Sequence, residues 1–130
     1  MTLIEVLAAV AIFGVGCMAV MAMQIMSMNS GQRATGITIA SFLAESQLEW
    51  VQSLSFNEVG LVSKNPERLT RDGETCPADM AASSCYTRTT TVTLGATTRR
   101  SYNVSVQVDW QGIDGAQQLI YDTIVSDFGM

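Results

Sequence analysis

The chain has 130 residues, a net charge of −5 at pH 7 and no histidine. The acidic balance and the absence of any basic cluster argue against nucleic acid and against an anionic membrane surface as partners. Without histidine the chain lacks the commonest general base and any Ser-His or Cys-His nucleophile pair. We therefore predict that it is not an enzyme and that it uses neither a metal nor another cofactor.

An apolar segment occupies the first part of the chain. Residues 6–32 carry no charge, and the apolar run of residues 6–28 is interrupted only by Gln24 and Ser27. This length suits one transmembrane helix, which needs roughly 20 mostly apolar residues. A secretory signal peptide is a poorer interpretation, because no Lys or Arg precedes the run and its apolar core is too long. We predict a membrane-spanning segment over residues 1–28 and a single small head domain over residues 29–130.

Glu5 lies alone at the start of this apolar segment. A carboxylate at the edge of a membrane-length segment is costly to bury, so it indicates a functional group that needs a cationic partner. The α-amino group of Met1 is the nearest cation that every copy of the chain carries. The pattern predicts that Glu5 pairs with the amine of Met1 in a neighbouring subunit.

Helical periodicity continues beyond the apolar segment. Residues 37, 40, 44, 48 and 51 form one apolar stripe with Ile39, Leu43, Trp50 and Leu54 beside it, and Thr38, Ser41, Glu45, Glu49 and Gln52 form the opposite, polar face. No proline lies within residues 1–65, so one continuous helix from about Leu3 to about Ser53 is predicted. Its weak points are four glycines, each costing about 1 kcal/mol relative to alanine: Gly14, Gly16, Gly31 and Gly36.

The cysteines divide between the two halves of the chain. Cys17 lies in the apolar helix, where we expect a small buried hydrophobe. Cys76 and Cys85 lie in the polar half, at a separation that suits a short disulfide-closed loop and an oxidising compartment such as a periplasm. Metal binding is the alternative for this pair, but the chain has no CxxC motif and no histidine.

The remaining segments predict an irregular region followed by a sheet. Residues 57–84 contain both prolines and mixed charges without a sustained period, and are predicted to be irregular. Residues 101–110 then alternate strictly, with Tyr102, Val104, Val106, Val108 and Trp110 on one face, which predicts a half-buried strand. Residues 86–94 and 117–125 are predicted strands on either side of it. Short connections favour an antiparallel meander covered by the amphipathic helix, an α+β fold.

The first twelve residues, MTLIEVLAAVAI, resemble the mature amino terminus of the type IV pilin and type II secretion pseudopilin superfamily. The resemblance rests on a short hydrophobic start with Thr2 at the second position and Glu5 at the fifth. It implies a type IV pilin-like fold and a prepilin peptidase that removes a leader and methylates the amine of Met1. An inner-membrane assembly platform would then draw the subunit into a helical filament, where Glu5 neutralises the amine of a neighbouring Met1. The head would be periplasmic before assembly, and the filament periplasmic or on the cell surface.

Several features depart from the pattern of major pilins. Met1 stands where most members have Phe, Ala22 stands where major pilins usually carry Pro, and the disulfide loop precedes the strands. Gly14 and Gly16 are expected to supply the flexibility that the proline would give. The chain most resembles minor pilins of the PilV type or the I-type minor pseudopilin, with a role in tip priming. A major or minor type II secretion pseudopilin, a plain bitopic membrane protein and a surface- or substrate-binding head carried on a filament remain as alternatives.

Overall fold

The computed structural model describes residues 2–62, 64–95 and 100–127. The elements in chain order are α1 (Leu3–Ser53), α2 (Phe56–Val59), β1 (Lys64–Leu69), a short 3₁₀ helix (Ala82–Ser84), β2 (Tyr86–Leu94), β3 (Ser101–Gly112) and β4 (Gly115–Ser126). The chain forms two compact units, residues 1–34 and residues 35–130, and α1 contributes to both. The predicted division at residues 28 and 29 concerns a bilayer and stays a prediction. The predicted α+β fold class is confirmed.

The helix α1 has the predicted bounds, and its two ends are closed by local hydrogen bonds. At the start, the amides of Glu5 and Val6 donate to the carbonyl of Thr2 at 3.0 and 3.4 Å. At the other end, Ser53 Oγ donates to the carbonyl of Trp50 at 2.6 Å. The next helix, α2, is preceded by its N-cap residue Ser55, whose amide and hydroxyl both donate to Glu58 Oε2. These two bonds, the hydroxyl first, lower the pKa of Glu58.

The sheet is an antiparallel meander with strand order β1-β2-β3-β4. The bounds of β2 are as predicted, whereas β3 and β4 each run slightly past their predicted ends. The connection between β3 and β4 is short because Gly115, with φ 111°, adopts a backbone conformation that favours glycine. Three of the four strands were therefore predicted from the sequence, β3 among them from its strict alternation.

The prediction of an irregular region over residues 57–84 is wrong in part, because this range contains most of α2 and the whole of β1 and of the 3₁₀ helix. In β1 the register shifts between Lys64 and Glu67, on either side of Pro66. A proline lacks the amide hydrogen and is confined to edges and bulges of sheets, and a bulge breaks the two-residue period. The sequence of β1 therefore lacks the alternation that predicts a strand.

The core lies between α1 and one face of the sheet. Its buried apolar members are Ala40, Leu43, Ala44, Val51, Val59, Val62, Leu69, Val104, Val106, Val108 and Trp110. The predicted alternation in β3 is confirmed, since Val104, Val106 and Val108 are at most 1% exposed. Tyr86 packs beside Trp110 with ring centroids 6.2 Å apart, and burial raises the pKa of Tyr86.

Three details of the predicted core are wrong. Ile37, assigned to the core stripe, is 47% exposed, whereas Gln47, absent from both predicted faces, is only 3% exposed. Ser101, assigned to the wet face of β3, is buried at 5% because Gly95 lies against it, with the Gly95 amide donating to the Ser101 carbonyl at 2.7 Å. Residue type alone does not reveal which neighbours cover a position.

One arginine links three elements at the edge of this core. Arg88 on β2 donates through Nη2 to Glu67 Oε2 on β1 at 2.9 Å, and through Nη1 to the carbonyl of Leu43 on α1 at 3.2 Å. The Arg88 side chain is 13% exposed, so its charge is largely removed from water and depends on these partners.

Candidate assembly segment at the amino terminus

The apolar part of α1 is exposed along its whole described length. Within residues 2–28 every residue is exposed except Gly14 and Cys17, which are half-buried. Among the described residues α1 is the one helix long and apolar enough to cross a membrane, with a mean hydropathy of 2.5 over its best window and none of that window buried. Burying a large apolar side chain stabilises by about 1.5–3 kcal/mol. Exposure of so many of them favours association with lipid or with another protein, and is compatible with single-pass anchoring.

Glu5 is the only charged residue between Thr2 and Gln32. It lies in the first turn of α1, where its negative charge is favourable beside the positive end of the helix dipole. Its neighbours Ile4 and Val6 are exposed apolar residues, so a surface that covers this turn would also cover the carboxylate. Met1 lies outside the described residues, and its pairing with Glu5 stays a prediction.

Gly14 and Gly16 occupy open positions on α1. A Cβ at either residue would meet nothing within 4 Å, so no close approach inside this chain requires glycine there. Gly16 instead contributes to a shallow apolar groove of about 490 Å³, which is lined by Phe13, Gly16, Cys17, Val20, Met21 and Gln24. The α-helix continues through both glycines, and their role in loosening it stays a prediction.

The structure contains the Cys76–Cys85 disulfide, with a Cα–Cα distance of 6.2 Å. Both cysteines are buried, and the Cys76 amide donates to the carbonyl of Arg68 on β1 at 2.8 Å. The disulfide and this hydrogen bond together hold the segment between β1 and β2 against β1. Cys17 carries no disulfide and is half-exposed in the single chain, and its burial within a membrane or a filament stays a prediction.

Comparison with known proteins gives no match: no protein-family model fits the chain, and no curated protein or solved structure is significantly similar to it. Any functional assignment therefore depends on the residues and on the fold. The sequence did not point to Arg88, and it pointed to Gly36 only as a weak point of the helix; the importance of both lies in contacts with distant residues. A buried arginine on a strand has no local signal in the sequence.

Proposed function

We propose that the protein is a structural subunit, a minor pilin or minor pseudopilin, of a type IV pilus-like filament. The observation that carries the proposal is the continuity of α1. One helix presents an apolar segment with no buried residue in its described part at its start and, from Ala40 onward, packs against a four-stranded antiparallel sheet. This α+β arrangement is compatible with a pilin-like fold, and the motif around Thr2 and Glu5 adds to it.

The apolar segment supports assembly because it suits two environments in turn. In the inner membrane its exposed side chains are covered by lipid, with the head on the periplasmic side. In a filament the same side chains are covered by the apolar helices of neighbouring subunits. An assembly platform would drive this transfer after a prepilin peptidase has released the amine of Met1.

The pairing of Glu5 with a Met1 amine would fix the axial position of an incoming subunit against the subunits already in place. Apolar helices alone slide past each other at little cost, whereas two charges buried in a dry interface must meet. A buried charge left without its partner costs several kcal/mol, about 3–5 when one member of a buried pair is removed. A Met1 amine of an incoming subunit would dock on Glu5 of a subunit already in place.

The test is replacement of Glu5 in the full chain. Glu5→Ala should insert into the membrane and be processed normally, yet enter filaments at no more than a few per cent of the wild-type level, a loss of about 2 kcal/mol or more in assembly free energy. Glu5→Gln should be nearly as defective, because a neutral amide cannot balance the amine. The measurement is the ratio of variant to total subunit in sheared filaments.

Glu45→Ala is the matched control, because Glu45 is an exposed carboxylate on the same helix within the head. It should assemble normally. Wild-type incorporation of Glu5→Ala would overturn the pairing. Mass spectrometry of the amino terminus separates the proposal from a plain bitopic protein, since only a subunit of this class carries an N-methylated Met1 exposed by leader removal.

The minor role proposed here, tip priming, is separable from that of a major subunit by stoichiometry. A minor subunit should be present at a few copies in each purified filament, whereas a major subunit makes up most of its mass. Deletion of the gene should reduce filament number more than filament length. Pilus and secretion pseudopilus are distinguished by whether loss of the subunit abolishes surface filaments or protein secretion.

A further inference from the structure

The two edges of the sheet differ in how well they are protected against pairing. The β1 edge is six residues long and carries Pro66, a register shift and three charged residues. The β4 edge is twelve residues long, has no proline, and pairs with β3 in an unbroken register. Its single charge is Asp122. Natural proteins protect edges with prolines, bulges and charges because an unprotected strand pairs with other chains.

Hydrogen bonding at the base of the hairpin shows which backbone groups of β4 do not pair with β3. The Asp127 amide donates to the Arg100 carbonyl at 3.1 Å, so the residue pair 100 and 127 is a hydrogen-bonded pair. Such pairs alternate along an antiparallel ladder, which assigns the odd-numbered residues of β4 to bonds with β3. The even-numbered residues 116–126 therefore direct their amides and carbonyls away from the sheet. Their side chains include Ile120 and Ile124, which are 51% and 70% exposed.

The sequence of β4 complements itself in one antiparallel register. When Ile120 lies opposite Ile120 of a second copy, Asp122 lies opposite Gln118 and Ile124 lies opposite Ala116. If one strand moves by two residues, Asp122 lies opposite Ile120 for one direction of the shift and opposite Ala116 for the other. A shift of four residues in the first direction brings the two Asp122 side chains opposite each other. Cross-strand apolar pairs stabilise and directly opposed like charges destabilise, which favours the first register.

We propose that β4 pairs with β4 of a second copy of this chain about a two-fold axis at Ile120, joining the two sheets into one. The bonds of this ladder come from the even-numbered residues, so pairing leaves every β3–β4 bond in place. On the core side, the half-buried Leu119 would lie opposite Tyr121 of the second copy and cover the open side of the core. The proposal does not depend on the filament function, because it uses the head alone.

Cysteine cross-linking of the full chain in detergent micelles tests the register, in a Cys17→Ala background that leaves the native disulfide intact. Two Ile120→Cys chains should cross-link on mild oxidation, because directly opposite residues have Cα atoms about 5.5 Å apart, within disulfide range. Ile124→Cys is the matched control, since each copy lies roughly 27 Å from its twin along the ladder. A mixture of Ala116→Cys and Ile124→Cys chains should cross-link again.

Charge variants at Gln118 test the same register by affinity. Gln118→Lys places a cation opposite Asp122 twice in each dimer and should tighten dimerisation by roughly fivefold, whereas Gln118→Glu should weaken it by a similar factor. The measurement is the dissociation constant in micelles, from energy transfer between labelled chains. Both Gln118 variants should retain the wild-type circular dichroism spectrum.

Three cross-linking outcomes would overturn the proposal: Ile124→Cys chains that cross-link with each other as readily as Ile120→Cys chains, Ile120→Cys chains that remain monomeric, or β4 cross-links formed only with a different protein. Equal affinities for the two Gln118 variants would do the same. Glu5→Ala should leave every one of these results unchanged, so a failure here is distinct from a failure of the filament proposal.

Discussion

Gly36 is a residue whose role depends on a side chain far away in the sequence. As a helix position it is a weak point, since glycine costs about 1 kcal/mol relative to alanine in a helix. In the fold, however, a Cβ at Gly36 would lie 2.8 Å from Trp110 Nε1. Trp110 is a rigid ring only 9% exposed, so it cannot easily move away. The glycine allows β3 and α1 to approach each other.

We therefore expect Gly36→Ala to destabilise the head by roughly 1–3 kcal/mol despite its better helix propensity, because it overpacks the contact with Trp110. The measurement is urea unfolding of the full chain in detergent, followed by tryptophan fluorescence. Gly31→Ala is the control: a Cβ there meets nothing within 4 Å, and this variant should not lose stability.

A second change checks the cause of the loss at Gly36. Trp110→Phe removes the indole nitrogen, so adding Gly36→Ala to Trp110→Phe should cost less than adding it to the wild type. If both backgrounds lose the same free energy, the contact between Gly36 and Trp110 is not responsible. A gain of stability in Gly36→Ala itself would show that helix propensity outweighs the contact.

Among the strands, β3 provides the sharpest test of which face of the sheet packs against α1. Val106 is fully buried, so Val106→Asp places an unpaired charge in the core and should abolish the cooperative unfolding transition of the head. Gln107→Asp is the adjacent comparison, on the opposite face. The measurement is circular dichroism with thermal unfolding of both variants.

The structure also refines what Gln107→Asp should do. Gln107 Nε2 donates to both carboxylate oxygens of Asp109, at 3.0 and 2.8 Å, so the change replaces a hydrogen bond by like-charge repulsion. A loss of up to about 1 kcal/mol is expected, with the fold retained. Comparable damage at positions 106 and 107 would mean that the inward face of β3 is wrongly assigned.

Periodicity made α1 and β3 predictable, because the alternation of β3 is strict over ten residues and the helical pattern of α1 is uninterrupted by proline. The threonine-rich β2 and the segment after the glycine-rich turn, β4, were predictable from composition and from the turns beside them. The short strand β1 escaped prediction because Pro66 and its bulge interrupt the repeat over only six residues. The polar contacts of Arg88 could not be predicted from the sequence, for a different reason. Glu67 is 21 positions away and the Leu43 carbonyl 45 positions away, and no local pattern encodes a contact across such separations.

The candidate site at the amino terminus was predictable to a different extent. The apolar segment and the disulfide were predictable because each depends on composition or on the spacing of two residues, and the role of Glu5, which depends on a short motif, stays a prediction. The partner of Glu5 belongs to a second molecule, so no property of one chain, folded or not, contains that pairing. Filament assays address it where the fold of a single chain does not.

At the scale of the whole molecule, the disulfide should be a major contributor to the stability of the head. Cys76 and Cys85 are nine positions apart, and closing a loop of this size stabilises by roughly 2–3 kcal/mol in the chain-entropy description. Reductant should therefore lower the midpoint of thermal unfolding of the full chain in detergent. Cys17→Ala should respond in the same way as the wild type.

The paired replacement Cys76→Ala with Cys85→Ala supplies the control. It should start at the lower midpoint and show no further response to reductant. Native protein kept from reductant should label with a thiol reagent at one position, Cys17. Labelling at Cys76 or Cys85 in that sample would contradict the disulfide.

The meander also sets the order in which the sheet can be completed during synthesis. Each strand pairs with the strand made just before it, so closure of every hairpin costs little entropy and folding can follow the emerging chain. Before residue 115 has emerged, the open edge is β3, which carries Val104, Val106 and Val108. A ribosome or translocon that pauses at that point would leave exposed the strand that supplies Val104, Val106, Val108 and Trp110 to the core. The timely arrival of β4 covers the edge of this strand and so protects the nascent subunit from aggregation.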